Sequence, residues 1–157
     1  MRADGQSDRW WNIAELRSKD SPLIYAASDI HYPHYFNIFK DSLDNLNEEP
    51  CLFLFAGDII DKGKVEGAKF VFESIIKKFD KTKIVATFGN DEWNETWDTL
   101  RSQYSYVDWI VDDYKVYSCN NVNIAVIGTP GALDKPTRWQ LKNINNIEKI
   151  YEERVNK

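Results

Sequence analysis

The chain has 157 residues, 43% hydrophobic and 29% charged, which gives one domain with a real core and speaks against disorder. Its 20 Lys and Arg against 25 Asp and Glu leave a net charge of −5, with a pI near 5.1. That balance argues against a nucleic-acid binder working through a broad basic surface, but leaves room for a small phosphorylated substrate held by a metal.

No apolar run is long enough to span a bilayer, and the N-terminus has no apolar stretch of signal-peptide length. A soluble protein of the cytoplasm with no membrane partner is the expectation. Cys51 and Cys119 are the only cysteines. Cys51 opens an apolar run and reads as a core thiol, and Cys119 sits in a turn-like Ser-Cys-Asn-Asn stretch. One disulfide is compatible with this, yet there is no dense framework and no CxxC, so a reducing compartment is the simpler reading.

In chain order, residues 1–20 read as an N-terminal extension, with Trp10, Ile13, Ala14 and Arg17 spaced as a short amphipathic helix. An apolar run over 23–27 predicts a strand. Pro33 then enforces a loop, and Phe36, Phe39, Leu43 and Leu46 predict a helix that ends before Pro50. Residues 51–56 are continuously apolar, as in a strand covered on both faces. Val65, Ala68, Phe72, Ile75, Ile76 and Phe79 mark a second helix, and 84–88 a third strand. Trp93, Trp97, Leu100 and Tyr104 make another helical stripe.

This strand–helix alternation predicts an α/β protein in layers, a mostly parallel sheet with right-handed crossovers flanked by helices. Beyond it, 106–111 and 114–117 read as β-runs joined by Asp112-Asp113 in a hairpin, with a further strand over 122–127. A loop at Gly128-Thr129-Pro130-Gly131 leads to one final helix from Pro136, striped by Trp139, Ile144, Ile147, Ile150 and Tyr151. No repeat or linker divides the chain, so residues 1–157 are read as a single domain.

Asp29 and His31, then Asp58, then Asn90 follow the C-terminal ends of three consecutive strands, about one βα unit apart. That edge of an open α/β sheet is where ligands bind, and three such ends can converge. Carboxylate and imidazole donors together suit Mn²⁺, Fe or Zn²⁺ better than Ca²⁺. Gly57 and Gly89 would allow the tight turns that bring the next side chains inward.

The matching stretches are Asp29-Ile30-His31, Gly57-Asp58-Ile59-Ile60-Asp61-Lys62-Gly63 and Gly89-Asn90-Asp91-Glu92. In order and spacing they resemble the calcineurin-like metallophosphoesterase superfamily, whose signature runs D-x-H, G-D-x-x-D-x-G and G-N-H-[ED]. The resemblance implies a metal-dependent phosphoesterase that cleaves a phosphomonoester or phosphodiester with metal-activated water. It implies that Asp29 and His31 hold one metal, that Asp58 bridges two, and that Asn90 holds the second and touches phosphate. Asp61 would fix ligand orientation, and Lys62 would place a point charge near the phosphate, with His34 beside the site in reach of substrate. Asp61 and Glu92 read as structural or capping residues.

Two departures set this chain apart. Asp91 stands where the family carries the histidine that protonates the leaving oxygen, and an aspartate is mostly ionised at neutral pH and a poor acid. The family also takes later histidine ligands, whereas this sequence has only His31 and His34. Its second metal then counts only Asp58 and Asn90. The chain therefore reads as the N-terminal part of the fold, truncated or degenerate, and the alternative function is a non-catalytic binding module. An incompletely covered second sheet would expose apolar surface and strand edges, so pairing with a second copy is the expectation.

Overall fold

The computed structural model describes residues 21–132 and 135–156. The helix expected within residues 1–20 lies outside them. Four strands form one sheet: β1 (Ile24–Ala27), β2 (Leu52–Ala56), β3 (Lys83–Thr87) and β4 (Asp108–Trp109). They lie in the order β1-β2-β3-β4, and every neighbouring pair is parallel. Parallel neighbours need a crossover. Here α1 (Phe36–Asp44), α2 (Gly67–Lys78) and α3 (Trp97–Gln103) supply them, α3 being preceded by a single 3₁₀ turn at Asn94–Thr96. The α/β layered fold predicted from the alternation is the fold observed.

Side chains alternate across a strand, and in β2 and β3 both faces are buried. Phe53, Phe55, Ile84 and Ala86 point to one side and pack with Val71, Phe72 and Ile75 of α2 and Leu100 of α3. Leu52, Leu54 and Val85 point to the other, where Ile110, Tyr117, Cys119, Ile124 and Val126 cover them. The continuous apolar run of 51–56 is thus two interleaved alternating sets, one for each core. Fully burying one such side chain contributes roughly 1.5–3 kcal/mol. Past β3, Phe88 lies against both Trp97 and Trp109, with ring centroids 4.5 Å apart in each pair. Arg101 sits over the Phe88 ring at 5.2 Å.

The second layer differs from expectation in its connections. The expected hairpin over 106–117 does not form. The stretch 106–111 instead gives β4, which pairs parallel with β3, and the hairpin joins β5 (Asp113–Cys119) to β6 (Val122–Gly128). Its two-residue turn is Asn120-Asn121, with φ of 50° and 63°. Two consecutive left-handed residues make the mirror-image turn whose twist suits a hairpin, and Asn tolerates that conformation.

Cys119 is accordingly the last residue of a strand, 2% exposed, and it forms a disulfide with Cys51. The bond links the entry of β2 to the end of β5, so it ties the second layer to the main sheet. The disulfide that the sequence left open is formed, so Cys51 is not a core thiol and Cys119 does not lie in a turn.

The single terminal helix is also two. A Thr137–Gln140 capping box opens α4 (Arg138–Asn143), and α5 (Ile147–Val155) follows a break at Asn146, whose φ of 58° no helix accepts. Arg154 of α5 lies over the Trp97 ring at 5.8 Å and donates to the Gly131 carbonyl at 3.1 Å, which fixes the tail against α3.

Candidate metal centre

The site is built where the chain leaves β1, β2 and β3. The ladder between β1 and β2 continues past the sheet: Asp29 N donates to Gly57 O (3.3 Å), His31 N to Asp58 O (2.9 Å) and Tyr32 N to Ile59 O (2.9 Å). These two loops therefore run side by side, with the ligand-type residues held in register. Asp29, His31 and Asp58 all take positive φ, at 56°, 41° and 52°. For non-glycine residues that conformation costs roughly 1–2 kcal/mol each, and it persists only where the surroundings impose it.

The third loop is pressed onto the second. A Cβ on Gly57, whose φ is 85°, would lie 2.5 Å from the backbone nitrogen of Gly89, so this crossing requires the glycine. Glu92, 1% exposed, locks it. One carboxylate oxygen accepts from Asp58 N (2.8 Å) and Gly89 N (2.7 Å), the other from Ile59 N (2.7 Å) and Ile60 N (3.0 Å). Burial pushes the Glu92 carboxyl upward, and these backbone donors pull the other way.

The result is a cluster in which one ligand atom each of Asp29, His31 and Asp58 lies within 4.8 Å of the other two. His31 Nε2 is 3.8 Å from Asp29 Oδ1. Burial raises the Asp58 carboxyl, the Asp91 backbone N–H and His31 lower it, and the charges of Asp91 and Asp29 raise it again. Two carboxylates and an imidazole, brought together on strained backbone with like charges crowded, form a donor set that fits a divalent ion. A cation there would relieve the repulsion that the carboxylates impose on one another.

The other candidates occupy two places. Asn90 is exposed, and its amide donates to Asp91 Oδ1 at 3.1 Å. The Asp91 carboxylate faces His31, with Oδ2 3.0 Å from Nδ1. Asp61, His34 and Lys62 form a separate group at the rim. The Asp61 side chain is 7% exposed, with Lys64 Nζ at 2.8 Å, His34 Nε2 at 3.5 Å and Lys62 Nζ at 3.9 Å. The Lys64 hydrogen bond, chief among these, holds the Asp61 carboxyl below its ordinary range. Lys64 did not stand out in the sequence; its only signal is i,i+3 spacing from Asp61. His34 and Lys62 are themselves mostly exposed.

A parallel α/β sheet with carboxylates and a histidine converging at its C-terminal edge presents a metal-type donor set at the place where such sheets bind ligands. The calcineurin-like phosphoesterase family profile matches residues 22–157, and the chain belongs to that family. No curated protein matches, and no solved structure does. Among the described residues no helix is long and apolar enough to cross a membrane.

Proposed function

We propose that the protein hydrolyses a small phosphomonoester or phosphodiester with metal-activated water, using manganese, iron or zinc. The convergence of Asp29, His31 and Asp58 at the strand ends carries this reading. A divalent ion bound there would supply Lewis acidity toward a phosphoryl oxygen and make water a stronger nucleophile. Asp29, His31 and Asp58 would hold it, and Glu92 keeps the Asp58 loop in place. Asn90, exposed beside Asp91, would donate its remaining amide hydrogen to phosphate. Lys62 and His34 at the rim offer a point charge and a donor to the same anion.

The test is hydrolysis of a chromogenic aryl phosphodiester with added Mn²⁺, comparing the wild type with Asp58→Ala. Metal-dependent turnover that vanishes in the variant is the expected result; equal background rates in both defeat the catalytic reading. One observation favours a second reading. His31 and His34 are the only histidines, so a second ion would lack imidazole ligands. In that reading the chain is a non-catalytic module of the phosphoesterase fold, which binds an ion and turns nothing over.

A further inference from the structure

We propose that Asp91 is a positioning residue for the metal ligand His31, at the place where the family carries a proton-donating histidine. The inference rests on the metal-centre reading above. Asp91 touches all three strand-end loops. Its Oδ2 is 3.0 Å from His31 Nδ1, after β1. The same oxygen accepts from the backbone N–H of Lys62 at 3.4 Å, after β2. Its Oδ1 accepts from the Asn90 amide at 3.1 Å, after β3. Its own backbone N–H donates to Asp58 Oδ1 at 2.8 Å, and its carbonyl accepts from Gly63 N at 2.8 Å.

A carboxylate facing three donors is an acceptor only, so the His31 proton sits on Nδ1. Nε2 then keeps its lone pair, and Nε2 is the nitrogen that faces Asp29 Oδ1. A carboxylate behind an imidazole both orients the ring and makes it a better donor to a metal. The same carboxylate accepts from the Asn90 amide, while the Asp91 backbone N–H holds Asp58. Position 91 thus serves the ligand set, and the proton-donor role of the family histidine is given up there.

The test uses the full chain and Mn²⁺ alone, followed by the spin-resonance signal of the free ion. Asp91→Ala is expected to weaken Mn²⁺ binding roughly 10–100-fold. Asp91→Asn, whose amide oxygen still accepts from Nδ1–H, should restore most of it. In a His31→Ala background, Asp91→Ala should cost nothing further, because the partner through which it acts is gone. Unchanged binding in Asp91→Ala overturns the proposal, as does a full loss that persists in the His31→Ala background. If the wild type binds no Mn²⁺, the metal-centre reading fails and this inference falls with it. Binding that Asp58→Ala abolishes and Asp91→Ala leaves intact defeats this inference alone. A nitrogen–proton correlation spectrum of the wild-type imidazole gives an answer even if Asp91→Ala does not fold: the Nδ1–H tautomer is expected, and the Nε2–H tautomer would refute the assignment.

Discussion

Asp29, His31 and Asp58 all stand at positive φ around one cluster, and what holds them there is a set of short backbone contacts. Gly89, like Gly57, leaves no room for a side chain, because a Cβ there would lie 2.5 Å from Asp58 N, against rigid backbone. Gly89→Ala is expected to destabilise the fold by about 1–3 kcal/mol, read from urea unfolding, and to lower Mn²⁺ affinity as Asp58 is displaced. Glu92→Gln tests the lock. The amide NH₂ would face two N–H groups that a carboxylate oxygen now accepts, which leaves donors unsatisfied in a buried place. A loss of about 3 kcal/mol is expected, and stability equal to wild type would show that the four bonds are dispensable. Asp29, His31 and Asp58 were legible as site candidates because their motif places them at strand ends. The Asp91–His31 contact was not, since it depends on side-chain directions in two loops 60 residues apart.

At the scale of elements, the first three strands and their helices were readable because period-2 and period-3.6 apolar patterns are local. The hairpin was misplaced because Asp112-Asp113 and Asn120-Asn121 are both turn-like, and strand pairing chose the second. Asp112 does take a positive φ of 51°, but it bends the chain out of the parallel sheet into the hairpin layer. Asp108, at the start of β4, pins that layer. Burial raises its carboxyl, yet hydrogen bonds from Lys115 and Tyr117 and the charge of Lys83 outweigh this and hold it below its ordinary range. A depressed carboxyl stabilises the fold above its unfolded pKa, near 3.9, and that stability is lost as pH falls through the lower folded value. Asp108→Asn should therefore flatten the loss of stability between neutral pH and pH of about 3, measured by urea midpoints. An unchanged pH dependence would remove Asp108 from this role.

At the scale of the molecule, two covalently joined layers share the central sheet. The Cys51–Cys119 bond closes a sequence separation of 68 residues, and restricting a loop of that size in the unfolded chain is worth about 4 kcal/mol. Reduction should lower the unfolding free energy by that amount, and mass spectrometry after alkylation of the denatured, unreduced protein should find no free thiol. Two labels on the unreduced protein would contradict it. The outer face of the β5–β6 hairpin leaves Tyr114, Val116 and Ile127 exposed, and among the described residues each strand pairs only with the other. A second copy is the partner we propose for it, since the same apolar face on both chains can stack about a two-fold axis. Concentration-dependent association in sedimentation, weakened by Ile127→Lys, is the expected outcome; a monomer throughout the micromolar range rules it out.

The order of strands and helices, the two apolar faces of β2 and the three ligand-bearing turns were set by the sequence alone, because each is written in neighbouring residues. Which turn closed the hairpin, which partner Cys119 found, and how Asp91 and Glu92 bind the three loops together were decided only by the tertiary structure. Those contacts join residues of different loops, such as Lys62 and Asp91 at 29 positions apart and Cys51 and Cys119 at 68, or choose between equivalent turns, and packing across the sheet makes that choice.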